Sequence, residues 1–414
     1  MRIAHLRQRL RDLGAKPGHE DRLLRGWSQV CSYDKKGSPA ATFFPFALRN
    51  ELPAIEAELN GLARLHGEYP ANGHGSHARS PSPTLPPRKP SPQPAPEETL
   101  SPTLFRKRER GQSREVIFDS GGRGGNREKQ FSILAGEGAN VALRATSNND
   151  EVARLLVELR DGQMVESVLL PRGGLCVSTQ VGCAVGCVFC MSGRAGLLRQ
   201  LGSAEIVAQV VLARKRRAVS KVVFMGMGEP AHNLDNVMEA IELLGTQGNI
   251  GHKNLVFSTV GDLRVFERLP QETVKPALAL SLHSTDATLR AKLLPHAPHI
   301  AVEELVERCE AYARATGYPV QYQWTLIEGV NDGNAEMERI VQLLSGRYAI
   351  MNFIPFNEVD GLDYRRPSSE RIASMAHTLN RQGVYARVRD SAGQEVEGAC
   401  GQLRARAAKT GQAA

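Results

Sequence analysis

The sequence predicts an α/β fold, a partial (β/α) barrel with a small helical module in front of it. Three observations predict it. From about residue 141, short β-branched runs alternate with amphipathic stretches of helical spacing; about six such repeats follow one another; and the first 66 residues carry helical periodicity only. Strands alternating with helices imply a parallel sheet with crossover connections. Such sheets place their ligand-handling side chains on loops at the C-terminal ends of the strands.

In the N-terminal module, apolar residues recur at helical spacing over 3–13, 22–27 and 48–65, and charged residues fill the other faces. Residues 70–102 hold ten of the chain's 23 prolines, and no aromatic residue occurs from 71 to 104. Such a stretch buries too little surface to fold and reads as an extended, solvated linker. Residues 105–140 are basic and glycine-rich (RKRER, SGGRGGNREK). They read as more linker in preference to an RNA-binding arm, because charge runs are usually just solvated. The expected division is a helical module over 1–66, a linker or insert over 67–140, a catalytic domain over 141–403 and a tail over 404–414. In the catalytic part, strands are expected at 167–170, 175–179, 221–225, 255–259, 277–282, 320–326, 350–354 and 385–389. Helices are expected at 203–217, 233–244, 302–316, 335–344 and 368–381. There is no internal repeat.

With 414 residues, 41% of them apolar, the chain can bury a sizeable core. The balance of 52 Lys and Arg against 44 Asp and Glu gives +8, which permits a polyanionic partner without demanding one. No run of about 18 apolar residues is present, so no membrane span is expected. Residues 1–11 lack the apolar core of a signal peptide, which points to the cytosol.

Seven cysteines are present: Cys31, Cys176, Cys183, Cys187, Cys190, Cys309 and Cys400. Three of them fall in the segment QVGCAVGCVFCMSG, at spacing Cys-x3-Cys-x2-Cys, just after the expected strand 175–179. In a reducing compartment such a triplet reads as metal chemistry rather than a disulfide framework. Cys183, Cys187 and Cys190 can each hold one iron of a 4Fe-4S cluster, which leaves the fourth iron without a protein ligand. An open iron can chelate the amino and carboxylate groups of S-adenosyl-L-methionine and pass an electron to its sulfonium. Gly182 and Gly186 let the backbone bend around a bulky group. The competing reading is zinc, which wants four ligands, with Cys176 as the nearest fourth; the cluster reading is preferred. Next come polar groups at successive strand ends: Glu229 in GMGEP, Ser258, Ser281 and His283 in SLH, and Asn357 in IPFNEV. Singly each is an ordinary cap; together they outline one ligand face.

The segments LCVSTQVGCAVGCVFC, VVFMGMGEP, ALSLHS, GVNDG, NFIPFN and GACGQL occur in this order between about residues 143 and 403. On them the chain resembles the radical S-adenosylmethionine superfamily, and within it the ribosomal RNA adenine methyltransferases of the RlmN/Cfr family. A weaker likeness reaches into the N-terminal module. The resemblance implies a partial barrel of radical-SAM type and methylation of an unreactive adenine carbon, C2 in preference to C8. It implies two S-adenosylmethionine molecules per turnover. One methylates Cys400; the second yields the radical that activates that methyl. Cys176 then attacks the Cys400 sulfur and leaves a disulfide, and Glu166 is the base. By the same matching Gly228, Glu229, Ser258, Ser281, Leu282, His283 and Asn357 bind the cofactor. Implied partners are RNA (ribosomal, with transfer RNA as a further class) and an electron-donating reductase or flavodoxin-like protein; a monomer is expected. Cys31 and Cys309 read as buried apolar filler. The rivals are a radical enzyme acting on another substrate, against which Cys176 and Cys400 argue, and a non-enzymatic zinc- or RNA-binding protein.

Overall fold

In the computed structural model, which describes residues 1–34, 38–71, 151–359, 361–389 and 391–405, the chain builds its largest sheet mostly from strands buried along their length. The strands are β1 (Ala63–Pro70), β2 (Ala153–Leu159), β3 (Met164–Leu170), β4 (Gly174–Cys176), β5 (Gln180–Gly182), β6 (Leu197–Gln200), β7 (Lys221–Phe224), β8 (Leu255–Thr259), β9 (Ala277–Ser281), β10 (Val320–Leu326), β11 (Ala349–Pro355) and β12 (Ala386–Val388). Ten of them form one sheet in the order β1-β2-β3-β4-β7-β8-β9-β10-β11-β12. The pairs from β1 to β4 are antiparallel and those from β4 to β12 are parallel. β1 and β12 are its two edges, so the barrel stays open.

The parallel part follows from chemistry visible in the chain. In β10, Tyr322, Trp324 and Leu326 are buried to 1% exposure or less and lie on one face, while Gln321, Gln323 and Thr325 alternate onto the other. Crossover helices such as Ser203–Arg214, Leu234–Gly245, Val302–Thr316 and Asn334–Leu344 cover the apolar face. The polar face is left for ligands.

The N-terminal helices share the main apolar core with the sheet: Leu23, Leu24, Leu48 and Ile55 belong to the same buried cluster as Val222 and Phe257. Polar ties reinforce the contact. The Ile3 amide donates to Ser203 Oγ at 2.8 Å, and Arg214 donates to the Ser28 carbonyl at 2.8 Å.

Several expectations are corrected. The expected helix over 48–65 ends at Asn60, and the chain turns back as β1. The linker boundary at 67 therefore falls inside a strand that reaches Pro70. β2, which the sequence reading lacked, is the partner: Ala63 pairs with Leu159 and Pro70 with Ala153. The expected strand 175–179 leaves the parallel ladder at Cys176. Ser178 turns to other partners, its amide donating to Gln209 Oε1 at 2.9 Å and its hydroxyl to the Glu166 carbonyl at 2.6 Å. The chain then pairs Gln180–Gly182 with β6 instead. The helix expected to reach residue 217 stops at Arg214. The expected tail begins too early, since Arg404 and Ala405 are tied to Glu166. The proline-rich and basic segments lie, beyond residue 71, outside the described residues.

Candidate functional site

The site begins where β4 ends. Cys176 closes β4 opposite Val223 of β7. Six residues on, Gly182 ends β5 at φ +78°, and a Cβ there would sit 2.0 Å from the Gly196 carbonyl oxygen. Only glycine lets the two ends of the 183–196 loop approach so closely.

Cys183, Cys187 and Cys190 occupy that loop. Burial pushes the Cys183 thiol up to about 12, with Glu229 and Cys190 adding to it. Cys187 is raised well above the usual thiol range, first by burial and then by Cys190 and Cys183. Cys190 is raised too, mainly by burial. The three thiols are therefore close enough to act on one another, and they pack in a small apolar cluster with Val185, Phe189, Val260 and Phe356. Among the described residues, no three His, Cys, Asp or Glu side chains close on a point as ligands of a single ion would. Three thiols packed against one apolar cluster fit a polynuclear iron–sulfur group that takes one thiolate per iron. Binding would release their protons, which makes the high thiol values compatible with ligation.

Around the triplet stand the residues expected to hold the cofactor. Gly228 has φ +104°, and a Cβ there would lie 2.6 Å from Gln180 Cβ, so a side chain is excluded. The Glu229 carboxylate accepts from the Ala231 amide at 3.1 Å and the Val260 amide at 3.0 Å, and burial raises it to about 7. A carboxyl so poised is ready to ionise against an ammonium. Ser258 lies in β8 and Ser281 ends β9. The Leu282 side chain is wholly buried, so this residue shapes the loop through its backbone. His283 is held at φ +61°, its Nδ1 accepts from the Thr325 amide at 3.0 Å, and its ring lies 4.8 Å from that of Phe189. Burial, then Arg290, lowers it to about 3, so it is a neutral imidazole whose Nε2 carries the proton. Asn357 donates to the Cys400 carbonyl at 2.9 Å and to Ser391 Oγ at 3.1 Å. Its buried Oδ1 has no partner among the described residues.

Cys400 is exposed, whereas Cys176 is buried. Burial raises the Cys176 thiol first, and the Cys400 thiol raises it next. Cys400 also acts on Cys190. Two cysteines 224 positions apart in sequence thus lie near enough to act on one another beside the triplet. The GACGQL turn is hooked onto the triplet loop: the Met191 amide donates to the Gly401 carbonyl at 2.7 Å, and Ser192 Oγ to the Leu403 carbonyl at 2.7 Å.

Glu166 lies in β3 at 1% exposure. One carboxylate oxygen pairs with Arg154; the other accepts the Arg404 amide at 2.8 Å and the Ala405 amide at 3.2 Å. Burial raises it and Arg154 pulls it back.

Two residues escaped the sequence reading. Arg154 joins Glu166 to the Val396 carbonyl at 2.6 Å, and its guanidinium stacks 4.3 Å from the Tyr69 ring. Arg290 is lowered to about 10 by burial and feels both Cys187 and Glu229. No local pattern marks either residue, because their partners are distant in sequence. Cys309 is buried as expected; Cys31 is exposed, because the left-handed Val30 turns the chain outward at the end of the helix Pro17–Gln29.

The model of the radical SAM superfamily matches residues 177–344. A probable RNA methyltransferase of Azoarcus sp. (strain BH72) is 57% identical over 409 residues, 99% of this chain and 96% of that protein. A probable RNA methyltransferase of Pseudomonas aeruginosa is 54% identical over 98% of this chain and 96% of its own length. Among solved structures, a radical SAM methyltransferase from Sphaerobacter thermophilus matches with a TM-score of 0.60 at 38% identity, covering 63% of this chain and 80% of that one.

Proposed function

The chain belongs to the radical S-adenosylmethionine RNA methyltransferases, and we propose that it methylates an adenine carbon, C2 in preference to C8, in ribosomal RNA through a methylated Cys400. The observation that carries this reading is the approach of exposed Cys400 to buried Cys176 at the mouth of the cysteine triplet. Transfer RNA is a second substrate class, and a flavodoxin-like protein or reductase is the proposed electron donor.

Cys183, Cys187 and Cys190 would hold the 4Fe-4S cluster that the family implies, and Gly228, Glu229, Ser258, Ser281, Leu282, His283 and Asn357 the S-adenosylmethionine. Bound together they supply methyl groups and one-electron chemistry on carbon.

The chain's own residues do the rest. Cys400, exposed on its turn, takes a methyl on its sulfur and loses a proton. Asn357 holds the Cys400 carbonyl and so aims the turn at the cofactor. After the methyl carbon has bonded to the adenine, the base is tied to Cys400 through a methylene bridge. Glu166 is the proposed base for the proton on the adenine carbon. It must first release the Arg404 and Ala405 amides, which lie four and five residues beyond Cys400. Movement of the Cys400 segment would therefore uncover it. The Cys176 thiolate then attacks the Cys400 sulfur. The S–S bond forms, the bond from that sulfur to carbon breaks, its electron pair goes to the carbon, and a proton completes the methyl group. Burial of Cys176 keeps its thiol protonated until RNA and cofactor change its surroundings.

The test separates these steps. Cys176→Ala should keep its iron and still carry methylated Cys400, then stall as a protein–RNA adduct that survives denaturing electrophoresis. Turnover at the wild-type rate would remove Cys176 from the mechanism. Loss of iron would make Cys176 a metal ligand and revive the zinc reading. Mass spectrometry of nucleosides from cells with and without the gene assigns C2 or C8.

A further inference from the structure

Asn331, in the sequence segment GVNDG, is wholly buried in the turn after β10. Its side chain is engaged at both ends. Nδ2 donates to the His283 carbonyl at 2.8 Å and to the Thr325 carbonyl at 2.8 Å, and Oδ1 accepts from the Ile327 amide at 2.8 Å. One side chain thus joins the loop after β9 to the end of β10.

The backbone it holds is unusual. Up to Leu282 the chain follows the parallel ladder, the Leu282 amide donating to the Gln323 carbonyl at 3.0 Å. The next rung would bring the Thr325 amide to the Leu282 carbonyl. That carbonyl accepts instead from the Ser284 amide at 2.8 Å. The bond closes a three-residue γ-turn around His283, whose φ is +61°. A γ-turn of this hand is rare and strained for a residue other than glycine. The imidazole fills the vacated rung, Nδ1 accepting from the Thr325 amide at 3.0 Å. The ring is neutral, since burial lowers it to about 3, so its one proton sits on Nε2. Nε2 makes no hydrogen bond among the described residues, although His283 is only 6% exposed. The ring lies 4.8 Å from that of Phe189, the residue before Cys190. A buried donor is therefore kept without a partner beside the triplet loop, and buried donors are seldom left so.

Nothing but Asn331 holds the His283 carbonyl among the described residues. The next two residues are gripped separately. Glu336, at the start of the helix Asn334–Leu344, accepts from the Thr285 amide at 2.8 Å and from the Ser284 and Thr285 hydroxyls. Without the Asn331 amide the γ-turn is free to relax to an ordinary φ, and the imidazole leaves its rung.

We propose that Asn331 is a positioning residue: by holding the His283 and Thr325 carbonyls and the Ile327 amide, it imposes the left-handed turn and leaves the Nε2 proton of His283 as the donor that meets S-adenosyl-L-methionine. The proposal rests on the cofactor reading of His283 and names what sets its donor. Asn331 acts through His283 and takes no part in the chemistry at Cys400.

The test begins on the full chain without cofactor, isotopically labelled at its histidine nitrogens for magnetic resonance. The imidazole signal missing from His283→Gln assigns His283. In wild type that signal should report one tautomer, with its proton on Nε2. Asn331→Ala should release the lock and give the averaged signal of both tautomers. Glu336→Gln, which loosens only the next two residues, should leave it unchanged. An averaged signal in wild type, or a locked one in Asn331→Ala, overturns the proposal. So does equal averaging in Glu336→Gln, which would make the effect a general loosening of the loop. If Asn331→Ala does not fold, Asn331→Asp takes its place: it keeps an acceptor for Ile327, loses both donors and should show the same averaging. The second readout is binding of S-adenosyl-L-methionine to the iron-loaded chain by equilibrium dialysis. Asn331→Ala should bind about tenfold more weakly, the factor for one hydrogen bond, with its iron content unchanged. Equal binding by variant and wild type would separate the turn from the cofactor and end the proposal. A wild-type chain that binds no S-adenosyl-L-methionine refutes the cofactor reading itself, which is a different outcome.

Discussion

The triplet loop and the Cys400 turn lie against each other, yet they are held in opposite ways. Cys183, Cys187 and Cys190 sit in an apolar cluster of their own, pinned by buried side chains such as Val185 and Phe189. The turn from Ser391 to Ala405 has no strand and no α-helix among its described residues. Leu403 reaches the main core, and for the rest the turn depends on individual polar ties: Asn357 to the Cys400 carbonyl, Ser192 to Leu403, and Glu166 to the Arg404 and Ala405 amides. Four of its residues, Gly393, Glu397, Gly401 and Ala405, adopt left-handed conformations. Apolar packing resists displacement as a unit, whereas single hydrogen bonds exchange with water one by one. The difference teaches which part of the site must stay fixed and which must travel. On the proposed reading, a cluster has to keep its ligands, whereas a cysteine that takes a methyl and hands it on has to move.

Three experiments break or sharpen that contrast. The largest effect is expected from Cys187→Ala. It removes one of three proposed ligands, so anaerobically purified protein should lose its iron and its brown colour, and methylation should vanish. Stoichiometric zinc in the wild type after anaerobic reconstitution would end the comparison, because the triplet would then be no cluster site. An intermediate effect is expected from Glu166→Gln. The amide side chain can still accept from the Arg404 and Ala405 amides but loses its charge toward Arg154, and ties of this kind contribute about 1–3 kcal/mol each. Hydrogen exchange should speed up in the Cys400 turn and stay slow in the triplet loop, while iron content is unchanged. Equal acceleration in both regions would show that they move together. The smallest effect is expected from removing residues 75–100. The stretch is rich in proline and poor in apolar residues, so melting temperature and iron content should shift little. If RNA methylation collapsed with the fold intact, that stretch would be a binding arm and the linker reading would fall.

Legibility differed across the molecule for physical reasons. β8, β10 and the helix Val302–Thr316 match their expected bounds, because each carries a strong local period flanked by turn residues. β1 and β2 were misread or missed, because β1 exists through pairing with a strand some 90 residues away rather than through its own pattern. The break after Cys176 was equally hidden. It depends on Gln209, from a crossover helix, offering Ser178 a better partner than the ladder does. Of the site, the triplet was readable from spacing alone, since three cysteines within eight residues have few structural uses. Arg154 and Arg290 were not readable, because burial against a remote carboxylate or thiol leaves no trace in the neighbouring residues.

By itself, then, the sequence determined the alternating α/β architecture, the cysteine triplet and the glycine-lined loop after β7. These are matters of period and spacing, which are local properties of a chain. Tertiary structure alone decided that Cys400 lies near enough to act on Cys176 and that Glu166 is occupied by Arg154 and the chain beyond Cys400. Each is a contact between distant segments. Such contacts are fixed by the order and curvature of the strands, and no run of neighbouring residues encodes them.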